Sequence, residues 1–307
     1  MEQPKAKLII DSCCDLPSQA VNEAGVPFFR FPFTLNGVEY EDDLWQSMDP
    51  HEFYERLRKG EPASTAQLPY AVQYEAFERA AQEGVPTCYI AFTSGLSGSY
   101  DTTLRVADDI RAKYPDFELY TVDSRLACMP EGLLVYEAIR QWKRGMTAKQ
   151  LEEWANEARW HVHTCFTIDE LEHLRRGGRI PDMAAYAGTK LDIKPLLAFD
   201  LEGSLTLTGA ARGRKKSLRA LVKAYQENHT EEGANDTVLV YSADAQADAD
   251  WVIKHLGRDP EALPVITGSV GPVIGSHVGP GMVAITFWGP DRREKASIAD
   301  KIANRFK

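Results

Sequence analysis

His277 stands alone in "GSHVGPGMVAITF", ahead of a Gly-Pro-Gly corner and an apolar run, with no cysteine or second histidine beside it to complete a metal site. A lone imidazole there is either a hydrogen-bonded turn residue or one member of a polar site completed from elsewhere in the chain. The stretch best suited to an anion is "TSGLSGSYDTT", residues 93–103, which joins the hydroxyls of Thr93, Ser94 and Ser97 to Gly95 and Gly98 at the start of a helical pattern. Small residues let a ligand approach the backbone, and the free N–H groups and positive dipole end of the helix favour a carboxylate or a phosphate. Ser97 or Ser99 is expected to cap that helix. "GLSGS" approaches the G-x-S-x-G nucleophile elbow but has Ser99 where the last glycine belongs. A hydrolase built here would use Ser94 as nucleophile and His277 as base, and would act on a small anionic ester.

Two basic islands interrupt the sequence: "LRRGGRI", with Arg175, Arg176 and Arg179, and "ARGRKKSLR", with Arg212, Arg214, Lys215, Lys216 and Arg219. Lys215, Lys216 and Arg219 read as a solvated helix face. Arg212 lies at a strand-to-helix junction beside Gly209 and Gly213, where a guanidinium reaches a buried anion or orients an imidazole. His161 and His163 alternate on one strand face but lack a third ligand, so no metal site is expected. "GPGMVA" precedes a strand instead of following one, and the sequence has no phosphate-binding P-loop. The five cysteines, Cys13 and Cys14 among them, form no Cys-x-x-Cys pair and read as reduced thiols.

The elements that must carry these residues follow an α/β order. "KLIID", "TCYIAF" and "ELYTVDS" read as strands. Helical patterns separate them, as parallel βαβ units require. Each of these strands ends in a polar pair, Asp11-Ser12, Thr93-Ser94 and Asp123-Ser124, and the three should converge where ligands bind an open parallel sheet. From about residue 160 the texture changes. "WHVHTCFTI" and the two halves of "PLLAFDLEGSLTLTG" read as strands, with a turn inside the latter, then come the helix "KKSLRALVKAYQENH", the strand "TVLVYSA", the helix "ADADWVIKHLG", strands over 264–288 and a closing helix, "REKASIADKIANRFK". The length of 307 residues favours two domains, an N-terminal parallel-sheet α/β domain over 1–160 and a C-terminal mixed-sheet α/β domain over 161–307. A net charge of -10 disfavours nucleic acid as a partner. The absence of a long apolar run points to a cytoplasmic protein.

Seven stretches in order, "IIDSCCDLP", "ASTAQLP", "FTSGLSGSYDTT", "VDSRLACMPEGLLV", "LEHLRRGGRI", "KPLLAF" and "IGSHVGPGMVAITF", resemble the DegV family, whose best-understood members are the fatty-acid-binding subunits (FakB) of bacterial fatty acid kinase. The resemblance implies a two-domain α/β carrier that holds one long-chain fatty acid between its domains. It implies no cofactor and no catalytic residue of its own. A separate kinase subunit phosphorylates the presented carboxylate, and the acyl-phosphate feeds phospholipid synthesis, with transient membrane contact. Carried over, the carboxylate contacts are Thr65 and Ser94, with His277 and Arg212 positioning and partly neutralising it. Asp11, Ser12, Thr93, Gly95, Ser97, Gly98, Asp123, Ser124, Gly279 and Gly281 would be supporting loop residues. Arg175, Arg176 and Arg179 form a candidate docking surface for the kinase. Two departures stand out: Ala66 removes a hydroxyl that the family often has at the rim, and Cys13 and Cys14 replace small or polar residues.

Overall fold

The computed structural model describes residues 5–180, 192–230, 237–258 and 265–294. The first half contains β1 (Lys7–Asp11), α1 (Ser18–Ala24), β2 (Phe28–Phe29), β3 (Pro32–Leu35), β4 (Val38–Glu41), α2 (Pro50–Arg58), β5 (Ala63–Thr65), α3 (Tyr70–Glu83), β6 (Thr87–Ala91), α4 (Ser99–Lys113), β7 (Leu119–Asp123), α5 (Met129–Lys143) and α6 (Ala148–Ala158). The second half contains β8 (Val162–Thr167), α7 (Glu172–Arg176), β9 (Ile193–Phe199), β10 (Leu205–Arg212), α8 (Arg214–Asn228), β11 (Val238–Ser242), α9 (Gln246–His255), β12 (Val265–Ser269), α10 (Pro272–Val278) and β13 (Val283–Trp288).

The fold is mixed α/β, with a parallel sheet first and a mixed sheet second. β2-β1-β6-β7 is parallel throughout, whereas β10-β9-β8-β13-β11-β12 is antiparallel except for the β11–β12 pair. Every residue of β6 is buried, as expected of a strand covered on both faces. α5 packs on β1 and also on β8, β11 and β13, so it lies between the two larger sheets. Pro130 opens it, and residues Met129 to Val135 are all buried. One hydrophobic core therefore runs from Leu8 and Ile10 through Leu133 to Phe166 and Ala284.

Three features differ from the sequence reading. β3, β4 and β5 make a separate antiparallel sheet for which the strand patterns above give no element. Residues 264–288 are not strands throughout, because α10 separates β12 from β13. α10 also packs back on α2, β3 and β5, so an element of the second half completes the wall of the first. The closing helix expected at the C-terminus lies outside the described residues from 295 onward.

The seam between the sheets holds four buried carboxyls, Asp11, Asp15, Asp42 and Glu131. Asp11 accepts hydrogen bonds from the Tyr89 hydroxyl at 2.9 Å, Phe92 N–H at 2.9 Å and Cys13 N–H at 3.0 Å. Burial pushes Asp11 up to about 6 and Asp15 up to about 7, and it drives Asp42 and Glu131 well above the usual carboxylate range. Their neighbours are thiols, hydroxyls, N–H groups and other acids and include no cation among the described residues, so burial favours the protonated form of each.

The consequence is a specific pH dependence. Unfolded Asp15 loses its proton near 3.8, whereas folded Asp15 keeps it to about 7. The folded state holds the extra proton across that window, so stability falls as pH rises through it, by up to ~1.4 kcal/mol per unit. Asp15→Asn imitates the protonated acid. Its melting temperature is expected to fall less than the wild type's between pH 5 and pH 8, and parallel melting curves would contradict the assignment.

Candidate functional site

β5 ends on Thr65 and His277 is the penultimate residue of α10, and the packing of these two elements brings the side chains together. Thr65 Oγ1 lies 2.8 Å from His277 Nε2. The ring is seated by glycine: a β-carbon on Gly177 would collide with His277 Nδ1. Gly279 (φ +70°) and Gly281 (φ +88°) bring the chain after α10 against the His173 ring and the Asp169 carboxylate, where a β-carbon would not fit. Burial, reinforced by the nearby Arg179 charge, pulls His277 down to about 4, so the imidazole is neutral at physiological pH. Its Nδ1 is buried and finds no partner among the described residues.

This pair sits where two cavities meet. The inner one, about 360 Å³, has walls that include Phe31, Phe92, Met129, Phe166, Phe199 and Met282. The outer one, about 700 Å³, is polar, and its lining includes Arg58, Glu61, Asp169, Glu172, His173 and Arg176. Thr65, Arg179, His277 and Val278 line both. The arrangement therefore provides an apolar slot for a hydrocarbon, a neck with a hydroxyl, an imidazole and a guanidinium, and a wet vestibule beyond.

The three strand-end pairs do converge, on adjacent strands, and they hold the neck's loops. Asp11 takes Phe92 N–H, and the Ser12 hydroxyl accepts Phe31 N–H at 3.1 Å. Ser124 N–H donates to Ala91 O at 3.0 Å, while its hydroxyl donates to Leu126 O at 3.0 Å. Asp123 accepts the Ser94 hydroxyl at 2.6 Å and Ser94 N–H at 3.1 Å. Thr93 Oγ1 accepts Gly95 N–H at 3.0 Å. Gly98 lets the loop close on Gln67, whose amide would otherwise meet a β-carbon.

Several expectations need correcting. Ser94 does not line the inner cavity, because its hydroxyl is committed to Asp123; Ser97, three residues on, does line it. Arg212 is exposed at the end of β10 and lines neither cavity, and the cation at the neck is Arg179. Arg179 donates to Leu96 O at 3.2 Å and to Gly177 O at 2.5 Å, which ties the β6–α4 loop to the turn after α7. Arg175 is paired with Glu172 at 2.8 Å, and Arg176 faces the vestibule. The N-cap of α4 is Gly98 with no side-chain bond; Ser97 Oγ instead accepts Ser99 N–H at 3.2 Å, and Ser99 Oγ accepts Leu68 N–H at 3.1 Å. His161 and His163 face the backbone carbonyls of Gly289 and Pro290. No hydrogen bond joins Ser94 to His277, so the nucleophile and base of a hydrolase are not assembled.

The glycine pair before Arg179 is the same kind of signal that drew attention to Arg212. Nothing in the sequence distinguishes the two, because the difference lies in which turn packs on α10.

Comparison with known proteins gives a consistent result. The model of the DegV family, described as "Uncharacterised protein, DegV family", matches residues 5–289. A DegV domain-containing protein of Clostridium perfringens is 34% identical over 285 residues, covering 93% of this chain and 98% of the relative. A DegV family protein from Thermus thermophilus, described as binding fatty acid, is 25% identical with a TM-score of 0.79, over 92% of this chain and 99% of that one. A DegV family protein from Ruminococcus gnavus, solved with vaccenic acid, has a TM-score of 0.80 at 19% identity, over 92% of this chain and 100% of that one. No helix among the described residues is long and apolar enough to cross a membrane.

Proposed function

The chain belongs to the DegV family, and from that premise and the geometry of its neck we propose that it carries one long-chain fatty acid, with the tail in the inner cavity and the carboxylate at the neck. The observation that carries this reading is the Thr65–His277 pair, with Arg179 beside it, at the junction of an apolar slot and a polar vestibule. A carboxylate taken out of water is costly unless hydrogen-bonded and compensated, and Thr65, Ser97 and His277 with the Arg179 charge meet both needs. The tail contributes ~0.8 kcal/mol per buried CH₂ and needs only shape from the walls. Structures of the same fold described as fatty-acid binding support the choice of ligand.

The carrier then presents the carboxylate through the vestibule to a separate kinase subunit. That subunit forms the acyl-phosphate used in phospholipid synthesis, in the cytoplasm and with brief membrane contact. Arg176 and Arg58 on the vestibule wall offer that partner a contact surface. The chain itself supplies no nucleophile and requires no cofactor in this scheme. Native mass spectrometry of the purified chain, alone and with added fatty acid, tests the ligand; a protein that neither carries nor takes up fatty acid overturns the reading.

A further inference from the structure

The hairpin β9–β10 has a tip, Asp200–Ser204, that makes its own turn. Asp200 Oδ1 accepts N–H bonds from Glu202 and Ser204, each at 2.9 Å, and Asp200 N–H donates to Ser204 O at 2.9 Å. The tip rests on the loop after β6. Thr93 Oγ1 donates to Gly203 O at 3.1 Å, and Ser204 Oγ donates to Gly95 O at 3.1 Å. Gly95 and Gly203 face each other so closely that a β-carbon on either would collide with backbone or Thr93. Arg125 spans the joint, 2.9 Å from Asp123 and 2.5 Å from Glu202. The residues flanking the tip, Phe199 and Leu205, are paired across the hairpin and form part of the inner cavity's wall.

The two faces of this cavity are held differently. Phe31, Phe92, Met129 and Phe166 belong to the continuous core, and moving them would expose it. Phe199 and Leu205 lie only partly buried at its edge, and the tip between them is held on the Thr93–Gly95 loop by two hydroxyl hydrogen bonds, the Arg125–Glu202 ion pair and a glycine contact. An ion pair with an exposed partner contributes little, and water replaces the two hydroxyl hydrogen bonds when the tip lifts, so the contacts on the loop release at modest cost. The base of the hairpin is anchored by packing on α8, and Arg292 donates to Phe199 O at 3.1 Å and to Asp200 O at 3.4 Å, so the β9 end of the tip is the pivot and the Gly203–Leu205 end is the part that lifts. The route through the vestibule and the neck runs past Arg58, Glu61, Glu172 and Arg176, which is a poor path for a hydrocarbon.

We propose that the β9–β10 tip is a releasable latch, and that its lifting from the Thr93–Gly95 loop opens the inner cavity sideways to admit and discharge the acyl chain. This rests on the fatty-acid reading for its ligand, but the opening itself is a property of the protein. The test is a Glu202→Ala/Ser204→Ala double variant, which cuts the ion pair and one hydrogen bond and leaves the turn's own Asp200 bonds in place. Cys128 lines the inner cavity, whereas Cys88 and Cys165 are buried elsewhere. Alkylation by a small thiol reagent, read residue by residue by mass spectrometry, is expected to be about tenfold faster at Cys128 in the variant and unchanged at Cys88 and Cys165. Release of a fluorescent long-chain fatty acid is expected to speed up in parallel. Equal Cys128 rates in the two proteins overturn the latch, as does a rise at all three cysteines, which would make the tip a general support of the fold. If neither protein binds fatty acid, the ligand reading fails while the Cys128 rates still decide the latch.

Discussion

Arg179→Met is expected to weaken binding of a long-chain fatty acid by about 10- to 100-fold, while leaving the affinity for its methyl ester nearly unchanged. Arg179 is the cation common to the cavity and the vestibule, and His277, held near 4, adds no charge at neutral pH. On the proposed reading the guanidinium is therefore the group that compensates the carboxylate directly. A hydrogen bond to a charged group contributes about 1.5–3 kcal/mol, which is the stated range of affinity. Methionine keeps the stem's packing. Arg179 also holds the carbonyls of Leu96 and Gly177, so the ester is the needed control. Equal losses for acid and ester would mean that the residue only braces its loops.

Ala127→Phe should exclude long tails. Ala127 lines the inner cavity and is buried, so a phenyl group there occupies space that the tail would use. Each methylene kept out of the protein forfeits ~0.8 kcal/mol, and exclusion of four lowers affinity by roughly 200-fold. The measurement is the ratio of dissociation constants for acids of 10 and 18 carbons, with the melting temperature as a control for folding. A variant that folds and still prefers the longer acid would show that the tail lies elsewhere.

Much of this architecture is legible in the residues. The alternation of "KLIID", "TCYIAF" and "ELYTVDS" with capped helical patterns dictates a parallel sheet, and the polar pairs at the strand ends mark its ligand edge. The β3–β4 hairpin also carries a local signal: Asn36-Gly37, both at positive φ, sits between alternating apolar residues, as a tight hairpin turn requires. α10 was harder to see. Its seven residues, "PVIGSHV", mix β-branched side chains with glycine and lie between two strands, so local preference reads as strand, and packing on α2, β3 and β5 decides for helix.

The neck shows the limit of local reading. The stretch 93–99 offers four hydroxyls at close spacing, and which of them faces the cavity depends on Asp123, nearly thirty residues away in sequence, taking Ser94. Likewise Arg179 and Arg212 each lie beside glycines, and only the tertiary placement of the turn after α7 against α10 brings one of them to His277. His277 itself follows the same rule. Its partner Thr65 lies 212 residues earlier, and nothing within its own turn predicts that meeting.

The central claim is that the inner cavity and its neck take a fatty acid by tail and carboxylate together. Native mass spectrometry of the wild-type chain, incubated with equal amounts of a 16-carbon acid and its methyl ester, addresses it directly. The account predicts one acid bound per chain, with the ester scarcely represented. Equal occupancy by acid and ester would contradict the assigned neck, and a chain that takes up neither would contradict the carrier itself.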